Sequence, residues 1–218
     1  MFGLSLPTLI SRIVTLVTAL TVHEYSHARM ADSFGDDTPR LNGRLTLNPL
    51  AHLDVLGSLM LVVAGFGWAK PVPVNPYALG KRSNAAFMWV SLAGPASNLL
   101  LAIIAAIPIR LGWVTYVTGM GSTSLLPSPY EFLREFIFIN LILMLFNLIP
   151  LAPLDGDKIF AYFSPPPLAR ALDQIRPYGP MVLLLVFFLG PLIGLDVIGW
   201  VMTPALPNLW NLLVRGAV

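Results

Sequence analysis

The chain lacks cysteine and carries little charge. None of its 218 residues is cysteine, which excludes disulfide bonds, thiolate chemistry and cysteine-ligated metal sites. Only 11% of the residues are charged, against about 25% in an ordinary soluble domain. The 13 lysine and arginine residues nearly balance the 11 acidic ones and form no basic run for tracking phosphates. The composition therefore excludes a nucleic-acid partner and a typical soluble enzyme.

Long apolar segments take the place of the missing charge. Hydrophobic residues make up 56% of the sequence, and several uncharged runs are long enough to cross the roughly 30 Å hydrocarbon layer as helices. We predict an all-α, multi-pass membrane protein with a single domain over 1–218, a core at about 6–160 and a C-terminal helical hairpin at 177–214. The five predicted transmembrane helices cover residues 6–33, 84–111, 136–154, 177–195 and 197–214.

The apolar segment 55–68 is too short to be a sixth span. A run of about 10–14 apolar residues is more typical of a re-entrant or interfacial segment. Basic residues flank the segment on both sides, and such residues accumulate on the cytoplasmic side of a membrane. We therefore predict a re-entrant segment that enters and leaves on the cytoplasmic side. The flanking residues are Arg29, Arg40 and Arg44 before it and Lys70, Lys81 and Arg82 after it.

Two features between the first two core helices predict β structure. Asn42-Gly43 favours the positive φ angles of a tight hairpin turn, so we predict a small β-hairpin there. Further along, two prolines leave one side of an extended segment at 69–75 without N–H donors. The other side is predicted to be a free edge that can pair with another extended chain. Its amides belong to Lys70, Val72 and Val74.

The first helix carries a metal-binding pattern. His23-Glu24-Tyr25-Ser26-His27 is an H-E-x-x-H sequence, whose two histidines lie on one face of a helix. Both imidazoles can reach one metal ion, with Glu24 beside it as a general base. The alternative is an interfacial group of polar residues at a helix end. We favour a metal site, because burying these side chains in a membrane is costly unless they have a function.

A catalytic zinc site needs a third protein ligand. The pattern of soluble zincins would place a histidine at position 33, but this residue is Ser33. No glutamate follows the motif before Glu131, so a glutamate ligand shortly downstream is excluded. The remaining candidates are His52 and the aspartates Asp32, Asp36, Asp37, Asp54 and Asp155.

Asp155 is the unusual member of this group, because it ends an apolar run. Pro150 and Pro153 are expected to break the helix there, near the membrane face. An irregular backbone at that depth is tolerated only next to protein or a cavity. The alternative is that Asp155-Gly156 forms an ordinary turn or caps the next helix.

Three motifs together resemble the site-2 protease family of intramembrane zinc metalloproteases. They are HEYSHA at 23–28, GPASN at 94–98 and NLIPLAPLDG at 147–156, in matching order and spacing. The resemblance extends over about residues 15–160 and is to the compact form, without PDZ-like or nucleotide-binding regulatory domains. The chain departs from many members at Asp157, where they have a second glycine.

The resemblance implies a metal centre and its ligands. It implies that His23, His27 and Asp155 hold one Zn²⁺ ion and that Glu24 is the catalytic carboxylate. It also implies that the helices bearing Asn98 and Asp155 pack beside the first helix as a three-helix core.

Two asparagines are predicted to support this centre. By resemblance, Asn98 faces the active site and steadies the substrate or the developing oxyanion; the alternative is an interhelical hydrogen bond. Asn147 is expected to satisfy carbonyls that Pro150 leaves without a donor, and by its place in the third motif it is a second candidate for substrate support.

The function implied by the resemblance is zinc-dependent hydrolysis of peptide bonds in or near transmembrane segments. The expected partners are a transmembrane protein substrate and the lipid bilayer, and the expected location is the cell membrane, with the active site toward the cytoplasmic side. Two alternatives remain: zinc-dependent hydrolysis of a non-peptide bond, and a non-catalytic metal-binding membrane protein.

Overall fold

The computed structural model describes residues 5–57, 60, 68–116 and 125–215, and these residues contain helices and turns but no β-strand. Short 3₁₀ turns occur at Pro49–Ala51, Arg176–Tyr178 and Pro191–Ile193. The α-helices are α1 (Leu6–Ser33), α2 (Thr38–Leu41), α3 (Pro76–Arg82), α4 (Ala86–Arg110), α5 (Pro129–Asn147), α6 (Asp155–Phe163), α7 (Pro166–Ile175), α8 (Gly179–Phe188) and α9 (Val197–Trp210).

Local signals define both ends of α1. At its start the Ser5 hydroxyl accepts the Thr8 N–H, as an N-cap residue does. At its end Gly35 adopts a φ of +84°, and the Asp36 N–H bonds to the Ala31 carbonyl over 3.1 Å, which closes a Schellman motif. The 28 residues extend for about 42 Å. The prediction of a helix over 6–33 is confirmed at both ends.

Three helices, α1, α4 and α5, pack against one another pairwise. The predicted core of three helices differs in one member, because Asp155 begins the next helix, α6, rather than lying on α5. Small side chains line the contacts, which lets the helix axes approach closely, as is common between membrane helices. The apolar core continues between α4 and α5 around Ile137 and Leu141, where α9 also packs. The buried alanines are Ala19, Ala28 and Ala31 of α1 and Ala102, Ala105 and Ala106 of α4.

Among the described residues, three helices are long and apolar enough to cross a membrane: α1, α4 and the C-terminal helix over 197–214. The prediction of five spans is not confirmed. The expected span at 136–154 is instead the helix 129–147, which starts at a capping box formed by Ser128 and Glu131 and carries charges in its first two turns. The expected span at 177–195 contains the ten-residue helix α8. At about 15 Å, α8 is too short to cross the hydrocarbon layer. Absence of charge therefore did not imply a continuous helix.

The hairpin predicted at Asn42-Gly43 is not formed. Of these two residues, Gly43 alone has a positive φ, +65°, and it follows the short helix α2 rather than a strand. Its N–H bonds to the Arg40 carbonyl over 3.0 Å, and the Arg44 N–H bonds to Pro39 over 2.9 Å. This is again a Schellman motif. Asn-Gly is common both in hairpin turns and at the ends of helices, and the prediction of a hairpin was wrong.

Most of the predicted re-entrant segment, at 58–59 and 61–67, lies outside the described residues. Its two ends are adjacent, however, because Leu53 and Ala69 form an antiparallel bridge. The Lys70 N–H also donates to the His52 carbonyl over 2.7 Å. The chain therefore returns to the place where it left, as a re-entrant segment requires.

Arg44 fastens these two ends together. Its side chain is buried, with 4% of its surface exposed. The guanidinium donates to the carbonyl oxygens of Ala51, Lys70 and Pro71. One side chain thus joins the chain before the segment to the chain after it.

We expect Arg44→Met to destabilise the protein by at least about 2 kcal/mol, because a hydrogen bond to a charged group contributes about 1.5–3 kcal/mol. The thermal midpoint of the detergent-solubilised protein measures the effect. The matched control is Arg40→Met, since Arg40 is 61% exposed and pairs with Asp32. Such a surface pair contributes about 0–1 kcal/mol. Equal midpoints for the two variants would show that Arg44 has no such role.

Candidate metal centre

Three side chains from distant parts of the sequence meet beside α1. His23 and His27 are one turn apart, and their Nε2 atoms are separated by 3.0 Å. Asp155 is the first residue of α6, and its Oδ2 lies 3.2 Å from each of these nitrogens. Both histidines are buried, and Asp155 is largely so. The structure thus brings together the three residues that the resemblance implied as ligands.

The triangle of donor atoms has the right size for a zinc ion. Ligands bound at about 2.0–2.1 Å with tetrahedral angles are about 3.3 Å from one another. The three observed separations are 3.0, 3.2 and 3.2 Å. Two imidazoles and one carboxylate are also a known ligand set of catalytic zinc sites, which keep the fourth position for water or substrate. His23, His27 and Asp155 could therefore hold one zinc ion.

The Nδ1 atoms of both histidines have hydrogen-bond partners on α4. His27 Nδ1 lies 2.7 Å from the Val90 carbonyl oxygen, and His23 Nδ1 lies 2.6 Å from Asn98 Oδ1. A carbonyl only accepts, so His27 Nδ1 donates and its Nε2 keeps a lone pair. Such partners orient metal-binding imidazoles and select the tautomer.

Gly94 provides the space in which these side chains meet. It lies inside α4, directly opposite the histidines. A β-carbon at this position would collide with the Nε2 atoms of both His23 and His27. Glycine is therefore required at position 94 for the close approach of α4 to α1.

A tight turn carries Asp155 to the histidines. The helix break predicted from the prolines is present, since α5 ends at Asn147, before Pro150. The chain then folds back, so that a β-carbon on Gly156 would collide with the carbonyl oxygens of Leu148 and Ile149. Since α6 also packs against α4, Asp155 is fixed from two sides.

Glu24 lies beside the cluster and is 9% exposed. Its Oε2 accepts the Val72 N–H over 3.1 Å. Of the three amides predicted to form a free edge, those of Lys70 and Val72 are therefore used within the protein, and that prediction is wrong for both. Burial lowers the pKa of the Arg44 guanidinium, and the negative charge of Glu24 acts in the opposite direction.

The other third-ligand candidates have different partners. His52 is fully buried, and its Nε2 lies 2.7 Å from the Thr46 carbonyl oxygen. Asp32 pairs with Arg29 and Arg40. The carboxylate of Asp36 accepts the N–H groups of Thr38 and Asn75, that of Asp54 accepts the Gly57 N–H, and Asp37 precedes α2 without a side-chain cap.

The two asparagines differ in their relation to the cluster. Asn98 is completely buried and bonds His23, which agrees with the interhelical alternative; its role toward a substrate stays a prediction. Asn147 Nδ2 donates to the Leu143 carbonyl over 3.0 Å. That carbonyl is not one left without a donor by Pro150, so the expected partner was wrong. Its role in substrate support also stays a prediction.

Asn140 and Arg44 also contribute to the surroundings of the cluster, and neither role was predicted from the sequence. Asn140 is completely buried and accepts a hydrogen bond from Asn98. The sequence did contain a feature that could have identified Asn140. It is a polar residue in an apolar helix, where a polar side chain is costly unless it has a hydrogen-bond partner. Arg44 entered only as a marker of orientation, although a buried arginine depends on hydrogen-bond partners.

Two buried histidines and an adjacent glutamate on a helix apolar enough to span a membrane, with a largely buried aspartate beside them, fit a metal centre of the zinc-metalloprotease class. The chain is 42% identical over 181 residues, 83% of its length and 80% of the relative's, to the Bacillus subtilis protein named "Putative zinc metalloprotease YwhC". The chain is also 31% identical to the Mycobacterium tuberculosis protein named "Putative zinc metalloprotease Rip2", over 84% of the chain and 67% of the relative's length. The chain belongs to the site-2 protease family of zinc metalloproteases. No protein-family model and no solved structure matches it.

Proposed function

We propose that the protein is an intramembrane zinc endopeptidase that hydrolyses peptide bonds in or near transmembrane segments of membrane proteins. One Zn²⁺ ion is held by His23, His27 and Asp155. The observation that carries the proposal is the meeting of the three donor atoms within 3.0–3.2 Å of one another, next to Glu24, on a helix long and apolar enough to span a membrane.

A zinc ion bound there would lower the pKa of a water ligand to about 7 and polarise the scissile carbonyl. Glu24 accepts the proton of the attacking water and delivers it to the leaving amine, as a general acid–base does. The Val72 N–H holds one carboxylate oxygen, Oε2. Within the described part of the chain, Oε1 has no hydrogen-bond donor, which leaves it as the oxygen for this transfer.

The substrate class follows from the position of the centre. His23 lies ten residues from the end of α1, about 15 Å along the axis, so a substrate must approach within the membrane layer. A transmembrane helix keeps its amides bonded internally and has to unwind locally before its peptide bond can be attacked. The transmembrane substrate and the lipid bilayer are therefore the partners we propose.

The same geometry supports a location in the cell membrane, as a multi-pass protein with the active site toward the cytoplasmic side. Arg29 lies in the last turns of α1, and Arg40 and Arg44 follow it. Lysine and arginine near helix ends favour the cytoplasmic side. The His23–Asp155 cluster is on this half of α1, whereas Arg12 is near the other end and pairs with Glu135 over 2.5 Å.

The test compares wild-type protein with Glu24→Gln in liposomes that contain transmembrane peptides. Mass spectrometry detects new peptide termini, and metal analysis measures bound zinc. We expect both proteins to hold one zinc ion, and the variant to cleave about 10²–10⁴-fold more slowly, the usual contribution of a general acid–base. The control is Glu131→Gln, because Glu131 belongs to a capping box that glutamine also satisfies.

Full cleavage by zinc-loaded Glu24→Gln would contradict this mechanism. Zinc binding without new termini from any transmembrane peptide would instead favour hydrolysis of a non-peptide bond. A protein that binds zinc and hydrolyses neither kind of bond would be a non-catalytic metal-binding protein.

A further inference from the structure

A line of hydrogen bonds crosses the three-helix core and ends at a metal-ligand candidate. Asn140 Nδ2 of α5 donates to the Phe136 carbonyl over 2.9 Å. Asn98 Nδ2 of α4 donates to Asn140 Oδ1 over 2.9 Å, and Asn98 Oδ1 lies 2.6 Å from His23 Nδ1 of α1. Both asparagines are completely buried. No water is needed to complete this series.

The direction of the whole series is determined at one end. The Phe136 carbonyl can only accept, so the Asn140 atom facing it must be the amide nitrogen, and the atom facing Asn98 must be the oxygen. Asn98 must then turn its own nitrogen toward Asn140. The Ala19 carbonyl, 3.4 Å from the same nitrogen, favours this orientation as well.

The orientation of Asn98 determines which tautomer of His23 it stabilises. With its nitrogen turned to Asn140, Asn98 presents only its oxygen to His23 Nδ1, which favours a proton on Nδ1. A neutral imidazole has one N–H, so a proton on Nδ1 leaves Nε2 with the lone pair that a metal ion needs. This preference acts against Asp155 Oδ2 and His27 Nε2, which lie 3.2 and 3.0 Å from His23 Nε2 and favour a proton there when no zinc is bound. The opposite orientation of Asn98 would place its NH₂ group against Nδ1 and favour a proton on Nε2.

We propose that Asn140 is a positioning residue that selects the metal-binding tautomer of His23 through Asn98. The inference rests on the proposed function in one respect, namely that His23 Nε2 binds zinc. His27 needs no comparable residue, because its Nδ1 faces the Val90 backbone carbonyl, 2.7 Å away, which cannot turn. His23 has a side-chain amide in that place, and an amide can flip unless other groups hold it. Asn140 Oδ1 is the nearer acceptor for the Asn98 nitrogen, at 2.9 Å against 3.4 Å for the Ala19 carbonyl.

The test uses Asn140→Leu, which has a similar volume but no polar atom to orient Asn98. Zinc affinity of Asn140→Leu, measured by chelator competition, falls about 10–100-fold, as is typical when the partner of a metal ligand is lost. The tautomer is measured by ¹⁵N-histidine spectra of zinc-free protein in nanodiscs, in an Asp155→Ala background, because the Asp155 carboxylate would otherwise accept a proton from His23 Nε2, 3.2 Å away. In that background Asn140→Leu is expected to lower the fraction of His23 that carries its proton on Nδ1.

A rescue separates orientation from packing. The double variant Asn98→Asp/Asn140→Leu carries a carboxylate, which accepts from His23 Nδ1 in either orientation, as in carboxylate–histidine–zinc triads. We expect it to restore the Nδ1 proton and most of the zinc affinity. If Asn140 only filled space, the second substitution would not repair the first.

The matched control is Asn208→Leu, because Asn208 makes the same i−4 carbonyl bond, 2.8 Å to Pro204, on the exposed surface of α9. If Asn140→Leu does not fold, Asn140→Ser replaces it, since serine can bond the carbonyl one turn back but is too short to reach Asn98.

An unchanged His23 tautomer in a folded Asn140 variant would overturn the proposal, and so would a loss of zinc that Asn98→Asp does not rescue. If the wild type bound no zinc, the proposed function would fail, whereas the tautomer measurement would still decide the role of Asn140.

Discussion

Gly94→Ala is expected to remove zinc binding and peptide cleavage together. The added methyl group would collide with the Nε2 atoms of His23 and His27, the atoms proposed to hold the metal. Both imidazoles are fixed at Nδ1 by Val90 and Asn98, so they cannot turn aside while these bonds remain. Either the rings leave their positions or α4 moves away from α1, and both changes separate the ligand atoms.

Zinc content after dialysis and peptide cleavage in liposomes measure the effect of Gly94→Ala. The control is Gly80→Ala, because Gly80 lies in α3 with nothing within 4 Å of its added β-carbon. That control should keep zinc and activity and gain up to about 1 kcal/mol of stability from the better helix propensity of alanine. If Gly94→Ala bound zinc as tightly as wild type, the ligand atoms would not lie where the structure has them.

Asp155→Ala is expected to have a comparably large effect through a different group. The substitution removes the carboxylate that lies 3.2 Å from both imidazole nitrogens. Losing a hydrogen-bond partner of a metal ligand costs about 10–100-fold in affinity, and the loss of a ligand itself should exceed that range. Cleavage should fall to the background level, since Glu24 alone has no activated water to deprotonate.

Chelator competition on the purified variant measures the affinity. The control is Asp173→Ala, because Asp173 is 60% exposed and pairs with Arg176, so its loss should leave zinc binding unchanged. Wild-type zinc affinity in Asp155→Ala would mean that another residue completes the centre. His52 would then be the first to examine, although the bond from its Nε2 to the Thr46 carbonyl argues against it.

Features with local causes were predictable. The bounds of α1 follow from a capping serine at one end and a glycine at the other, each within a few residues of the helix. The break after α5 follows from two nearby prolines. Where one local pattern suits two structures, the prediction failed: Asn42-Gly43 ends a helix instead of joining two strands.

The predicted transmembrane helices were likewise confirmed only in part. Apolar composition correctly indicated an all-α protein of membrane character, and three helices in the described part of the chain are long and apolar enough to cross a membrane. It did not specify where each helix starts or stops. Capping at Ser128 moved α5 seven residues toward the N-terminus of its predicted range. The apolar run after residue 177 has a ten-residue helix, α8, followed by a 3₁₀ turn at Pro191–Ile193.

His23, Glu24 and His27 could be assigned from the amino-acid pattern alone, because residues four apart on a helix share a face whatever surrounds them. Asp155 is 132 residues from His23, and no local rule relates two such positions. The sequence made it one of several candidates, the family resemblance selected it, and the packing of α1, α4 and α6 brings it to the imidazoles. Asn140 shows the same limit. Its hydrogen bond to Asn98 exists only because α4 and α5 pack together, and the direction of that bond depends on a backbone carbonyl that the sequence does not display.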